Sequence, residues 1–245
     1  MVTVTVLGSG DAFNSGGRAH AAYLVEAPGV AFLMDCGPSV LASMKRLGRD
    51  PSSIDFVLLS HLHGDHFAGI PFVLMDYRYE SERTRPFAIC GPPQTTRRVH
   101  NLFNALYERT SEETSPFPIV YREMTPDVAT TIEGVEVLPV TVKHAEEMTC
   151  FALRVTVAGR TILYSGDCAW SDSFFEHARG ADLFICECTY FETELNIHIS
   201  YPQIARHAEK LACRRLVLTH LGSEPIARRS EIRLECAEDG LVIQL

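Results

Sequence analysis

Ile54-Asp55-Phe56-Val57-Leu58-Leu59-Ser60-His61-Leu62-His63-Gly64-Asp65-His66 joins two unlike patterns. Its first six positions form a mainly apolar run of strand length, as expected for a β-strand buried on both faces. The strand then runs straight into His61, His63, Asp65 and His66. Four such side chains cannot all project from one regular face, so a tight loop is required, with Gly64 as its flexible point. Imidazole and carboxylate are nitrogen and oxygen ligands that suit zinc. Together they overfill one catalytic zinc, which normally takes three protein ligands and keeps one position open; shared between two metals, they fit. As purely structural residues they would be costly, because polar groups at the end of a buried strand need partners.

Further candidate ligands recur in the same setting. His144 follows a strand expected over 135–142, and Asp167 follows one over 161–164 in Tyr164-Ser165-Gly166-Asp167. His220 follows a strand expected over 215–219. Each sits just past the C-terminal end of a strand, where several strands can aim loops into one cleft. His100, His177 and His207 lack that setting and read as surface or packing residues.

Outward from this centre, strands are expected over 2–7, 22–26, 31–34, 86–90, 119–124, 151–157 and 183–188. Ala27-Pro28-Gly29 and Ala158-Gly159-Arg160 read as hairpin turns. Helices are expected over 38–47, ending at Gly48, and over 94–107 and 201–213. The tail, 232–245, reads as two short strands around Asp239-Gly240. Two strand-rich groups with interleaved helices imply an α/β fold in which two sheets pack face to face with helices outside, a four-layer αββα sandwich. No short-period repeat, low-complexity tract or linker interrupts the chain, so residues 1–245 read as one domain.

The 245 residues are 46% hydrophobic and 22% charged, ordinary values for a globular protein. A formal net charge of −9 argues against a generic nucleic-acid coat, since such binding depends on Lys and Arg meeting phosphates. The N-terminus alternates like a strand and lacks the basic region and apolar run of a signal peptide. No stretch approaches the roughly 18 apolar residues of a membrane span. Cys36, Cys90, Cys150, Cys168, Cys186, Cys188, Cys213 and Cys236 are scattered without a Cys-x-x-Cys pair and read as free buried thiols. A cytoplasmic location is expected.

His61 to His66 resembles the His-x-His-x-Asp-His signature of the metallo-β-lactamase superfamily. The likeness is strongest to its ribonuclease Z and cyclic phosphodiesterase branch. Leu7-Gly8-Ser9-Gly10-Asp11-Ala12-Phe13 is similar to the opening glycine loop of that branch, Leu33-Met34-Asp35-Cys36-Gly37 to its Asp-Cys-Gly strand end, and Gly69-Ile70-Pro71 to its Gly-Leu-Pro. The resemblance implies that His61, His63 and His144 hold one metal, that Asp65, His66 and His220 hold the second, and that Asp167 bridges. It implies two Zn2+, for which manganese or iron can substitute, with a water between them as nucleophile and Asp65 orienting it. Glu187-Cys188-Thr189-Tyr190 and His198-Ile199-Ser200 resemble the segments that carry the leaving-group acid, which makes His198 the candidate general acid and Glu187 its support.

Two departures narrow the function. Bacterial ribonuclease Z carries a long basic tRNA-gripping arm between the equivalents of His144 and Asp167, where this chain has room only for a hairpin. Cys168 stands where the branch usually has Thr, and reads as a packing residue. The expected activity is therefore a phosphodiesterase acting on a small or cyclic phosphodiester, with extended nucleic-acid binding not expected. Arg78, Arg83, Arg85, Arg97 and Arg98 are candidates for binding phosphate. A lactonase, thioesterase or β-lactamase-like enzyme using the same metals on a carbonyl is the alternative, followed by ribonuclease Z-like RNA processing. An iron redox enzyme or inactive module fits less well, because His63 is present and the second-metal set is complete. Dimeric relatives make a homodimer an expectation.

Overall fold

In the computed structural model, which describes residues 1–107 and 115–245, the layers follow from the period-two alternation of strand side chains. The first half of the chain supplies β1 (Thr3–Gly8), β2 (Ala22–Ala27), β3 (Val30–Met34), β4 (Phe56–Leu58), β5 (Phe87–Gly91) and β6 (Ile119–Glu123). Helices α1 (Val40–Arg46), α2 (Gly64–Phe67), α3 (Ile70–Tyr79) and α4 (Thr95–Leu106) lie between them. The second half supplies β7 (Thr130–Ile132), β8 (Val135–Val142), β9 (Cys150–Val157), β10 (Arg160–Tyr164), β11 (Leu183–Glu187), β12 (Leu216–Thr219), β13 (Glu235–Cys236) and β14 (Val242–Gln244). Its helices are α5 (Phe174–His177), α6 (Tyr201–His207) and α7 (Ser223–Ala227).

One sheet has the order β14-β1-β2-β3-β4-β5-β6 and the other β13-β12-β11-β10-β9-β8-β7. Strands β3 to β6 run parallel, as do β10 to β13, while the remaining pairs are antiparallel. Phe32, Met34, Phe56 and Leu58 point between the sheets, into one core with Phe151, Leu153, Val155, Ile162, Tyr164 and Ile185. Their neighbours Leu33, Val57 and Leu59 point the other way, onto Met44, Val73 and Phe103 of the overlying helices. In the second sheet Leu163, Phe184 and Cys186 likewise meet Phe174 and Ile204. Three apolar layers therefore separate four structural layers, and the αββα sandwich is the observed architecture. Burial on both faces is why the central strands read as near-continuous apolar runs.

The structure adds elements that the pattern leaves unmarked: the short helices α2, α5 and α7, the longer helix α3, and strand β7. Helix α3 begins with Pro71 in its first turn, where the missing N–H costs no helical bond. Strand β7 is three residues long and exists by pairing with β8. The helix expected over 201–213 ends as α6 at His207 and tightens into a 3-10 turn, Ala208–Leu211. The tail does not act as a unit: β13 extends the second sheet alongside β12, and β14 crosses to pair with β1. All eight cysteines are free, and all but Cys213 are buried. Among the described residues no helix is long and apolar enough to cross a membrane.

That crossing is pinned by Asp239. Its Oδ1 accepts the Ser9 backbone N–H at 2.9 Å and the Ser9 hydroxyl at 2.8 Å, and its Oδ2 accepts the Ala19 N–H at 2.7 Å. Arg18 in turn donates to Ser9 Oγ and to the Ala237 carbonyl, both at 2.8 Å. Asp239→Ala leaves these donors without their acceptor and is expected to lower unfolding stability by about 1–3 kcal/mol. A shift of the urea midpoint at unchanged slope measures the loss.

Candidate metal centre

The parallel strands bring their C-terminal ends to one edge of the sandwich. Asp35 follows β3, Ser60 and His61 follow β4, His144 follows β8, Asp167 follows β10, and His220 follows β12; Glu187 closes β11. Asp35 and His220 have φ of 58° and 52°, a left-handed conformation that is uncommon for residues other than glycine and concentrates at functional positions. The loop after β3 cradles the His61–His66 segment: Cys36 N–H donates to the His66 carbonyl at 2.7 Å, and Gly69 N–H donates to the Cys36 carbonyl at 2.8 Å. A Cβ on Gly37 would stand 2.3 Å from the Asp65 carbonyl oxygen, and one on Gly69 the same distance from that of Gly37. Only glycine permits this approach.

Seven predicted ligands gather as two groups. His61, His63 and His144 form one, and Asp65, His66, Asp167 and His220 the other, the ligand atoms of each group lying within 4.8 Å of one another. In the first, His63 Nδ1 is 3.1 Å from His61 Nε2 and 3.0 Å from His144 Nε2. In the second, His66 Nε2 stands 3.1 Å from Asp65 Oδ2 and 3.4 Å from Asp167 Oδ1, and His220 Nε2 stands 3.4 Å from both Asp65 Oδ2 and Asp167 Oδ2. Asp167 Oδ2 also comes within 4.0 Å of His144 Nε2, which sets this carboxylate between the groups.

The tautomers follow from the hydrogen bonds behind the rings. His144 Nδ1–H donates to the Ile197 carbonyl at 2.7 Å, and His66 Nδ1–H to Asp35 Oδ2 at 2.7 Å. Ser60 gives its hydroxyl proton to Asp35 at 2.8 Å, so it accepts from His61 Nδ1–H at 3.0 Å. Thr189 gives its own to Glu187 at 2.7 Å and accepts from His220 Nδ1–H at 2.9 Å. With Nδ1 as donor, the Nε2 of His61, His66, His144 and His220 is the nitrogen turned inward. His66 Nε2 and Asp167 Oδ1 are buried without any hydrogen-bond partner, and a bound cation satisfies both. The donor set therefore fits divalent metal ions.

The electrostatics agree. Burial opposes charge on His66, yet Asp167, Asp65 and Asp35 together hold its pKa well above the ordinary value. Burial also opposes ionisation of Asp65 and Asp167, but His66 and His220 hold both carboxyls below the usual range. Acidic groups this close and this buried attract positive charge.

Beside the ligands, Glu187 is fully buried and saturated with donors: Cys168 N–H at 2.6 Å, the Thr189 hydroxyl, Ile199 N–H at 3.3 Å and His198 Nδ1 at 3.0 Å. The His198 ring packs 4.8 Å from that of His144, and one of its nitrogens lies within 4.8 Å of the ligand atoms of His144 and Asp167. Burial disfavours its charge, but the Glu187 carboxylate outweighs this and lifts its pKa to about 9. The Cys168 side chain packs in the outer core of the second sheet, while its backbone N–H holds Glu187.

The arginines serve other ends. Arg83 donates to the carbonyls of Arg85, Ser52, Ile54 and Pro86; Arg85 pairs with Asp55, Arg97 with Gln94, and Arg98 donates to the Leu62 carbonyl at 2.9 Å. These four guanidinium groups are occupied within the chain, contrary to the phosphate-binding expectation. Of the remaining histidines, His207 stacks on Trp170 at 4.8 Å, and none of His100, His177 or His207 joins a metal-competent group among the described residues. Ser60, Tyr164 and Thr189 support the site without any sign of it in sequence spacing.

A four-layer α/β sandwich with two convergent His/Asp groups at its strand ends defines a class of metal-binding proteins. The model of the β-lactamase superfamily domain matches residues 31–221, and the chain belongs to that superfamily. It is similar to the probable metallo-hydrolase YhfI of Bacillus subtilis, 30% identical over 89% of this chain and 86% of that protein. A ribonuclease Z of Mycobacterium bovis is 28% identical over 90% of this chain and 86% of its own. The crystal structure of human tRNase Z, short form, superposes with a TM-score of 0.81 at 26% identity, covering 99% of this chain and 98% of that one.

Asp35→Asn removes the carboxylate that holds the His66 ring. It is expected to weaken metal retention about 10–100-fold in chelator competition while circular dichroism stays unchanged.

Proposed function

We propose that this protein is a metal-dependent hydrolase that cleaves a small phosphodiester. In this reading two divalent cations, zinc first among them, are held by His61, His63 and His144 and by Asp65, His66 and His220, with Asp167 between them. The observation that carries it is the His198–Glu187 pair beside the two ligand groups. Bound there, the metals would activate a water and offset the negative charge that develops on the phosphoryl oxygens.

The chain's own residues supply the rest. Asp65 presents Oδ2 to His66 and His220, and its second oxygen is suited to accept a hydrogen bond from the attacking water. His198 donates through Nδ1 to Glu187, which leaves Nε2 to deliver a proton to the departing ester oxygen. Glu187 orients that ring, and its hydrogen-bond donors fix it in turn. Such an acid serves an alkoxide leaving group, and the likeness to ribonuclease Z favours a phosphodiester over a lactone or β-lactam as its source.

Size and charge support a small substrate. The chain between His144 and Asp167 is taken up chiefly by the β9–β10 hairpin, and the net charge is −9. The likeness to ribonuclease Z keeps RNA as the second reading.

Bis(p-nitrophenyl) phosphate, a lactone and a chromogenic β-lactam, offered to metal-quantified protein, separate the readings. Two metals per chain are expected, with diester turnover that Asp167→Ala abolishes together with metal loss. Turnover of the carbonyl substrates alone, or one iron per chain without hydrolysis, overturns the proposal. His198→Ala is expected to keep its metals and to lose about 10²–10⁴-fold in kcat on a diester with a poor leaving group.

A further inference from the structure

The segment from Thr189 to Ser200 does three things at the candidate site. Thr189 accepts from His220, the Ile197 carbonyl accepts from His144, and His198 faces both rings. Yet 192–196 is exposed surface chain, tied by a bridge from Tyr190 to Ser200 at its base, one from Leu195 to His198, and a surface ion pair from Glu194 to Arg206 at 3.0 Å. Its outer bend is held from outside, by Glu224. Glu224 Oε2 accepts three consecutive backbone N–H groups, those of Phe191, Glu192 and Thr193, at 2.9, 3.1 and 3.3 Å. Its Oε1 accepts the Thr193 hydroxyl at 2.6 Å. The Thr193 hydroxyl and these amides pull the Glu224 pKa down to about 2, so the acceptor is a carboxylate throughout the neutral range.

Glu224 lies in the first turn of α7, and Gly222 before it leaves no room for a side chain, since a Cβ there would stand 2.3 Å from the Thr189 carbonyl oxygen. From the end of the same helix Arg228 lies 3.9 Å over the Phe191 ring and pairs with Glu192 and Glu231. Phe191 also stacks on Tyr201. Helix α7 begins three residues after His220. One short element therefore follows a candidate ligand and grips the loop that carries His198.

We propose that Glu224 is a positioning residue: it holds 191–193 so that the Ile197 carbonyl stays on His144 and the His198 imidazole stays over the ligand groups. It touches no reacting atom and acts through the loop. The catalytic half of this inference rests on the phosphodiesterase reading; the structural half does not.

The test uses the full-length, zinc-saturated protein with Glu224→Ala and Glu224→Gln. Hydrogen exchange at the amides of Phe191, Glu192 and Thr193 is expected to speed up about tenfold or more in Glu224→Ala. Glu224→Gln keeps an amide oxygen for those N–H groups and restores most of the protection. Turnover is compared on bis(p-nitrophenyl) phosphate, whose leaving group needs little protonation, and on diphenyl phosphate, whose leaving group needs more. Glu224→Ala is expected to lose about tenfold more on the second than on the first, and to add no such selectivity in a His198→Ala background. Unchanged exchange at 191–193, or equal loss on both diesters, overturns the role of Glu224. Wild-type protein that hydrolyses neither diester overturns the functional reading instead, and the exchange measurement still decides the clamp.

Discussion

One buried carboxylate sets the register of the site. Asp35 is inaccessible to solvent, and it accepts four hydrogen bonds: Ser60 N–H at 2.7 Å, Ser60 Oγ–H at 2.8 Å, Tyr164 O–H at 2.7 Å and His66 Nδ1–H at 2.7 Å. A buried charge is tolerable only when it is fully paired, so these donors are not interchangeable with water. Ser60 and His66 belong to the first sheet and its metal loop, whereas Tyr164 ends β10 of the second. The same carboxylate therefore links the two sheets and aims a candidate ligand, His66. The left-handed backbone of Asp35 is sustained by the packing around it.

Glu187 repeats this arrangement in the second sheet. It too is fully buried at a strand end, and its donors govern His198 directly and His220 through Thr189. Two carboxylates outside the ligand set thus determine how four rings present themselves. Each ring is fixed by its Nδ1; the Nε2 atoms of His66 and His220 are turned inward toward Asp65 and Asp167, whose carboxyls are held below the usual range. The rigid layers provide the precision, because strand ends shift less than free loops do. The exception is the His198 segment, a long connection that needs the outside support of Glu224 and Arg228.

The arginines illustrate how a chemically sound expectation can be displaced by packing. Arg83 and Arg85 lie close in sequence to the metal loop, but the backbone carbonyls of 52, 54, 85 and 86 need donors, and the guanidinium fork supplies them. Arg98 instead braces the metal loop through the Leu62 carbonyl. Sequence proximity carries no information about which acceptors a long side chain will meet.

Much of the sandwich was legible in the sequence because its signals are local. Apolar runs and, in outer strands, alternation made the strands visible, glycine marked the end of α1 at Gly48, and His61 to His66 after β4 announced a candidate ligand cluster. His144, Asp167 and His220 were legible only as repeated strand-end positions. Helix α3 and strand β7 escaped because their residues are set by what they pack against, as was the parting of β13 and β14 between two sheets. By itself, the sequence determined the layer architecture and the candidate ligand types, since both depend on residue chemistry and short-range periodicity. The tertiary structure alone decided which nitrogen of each histidine faces inward, which arginines are already engaged, and which distant carboxylate steadies the His198 loop. Those outcomes are hydrogen-bond pairings between residues far apart in the chain, and only the folded arrangement of both sheets selects among them.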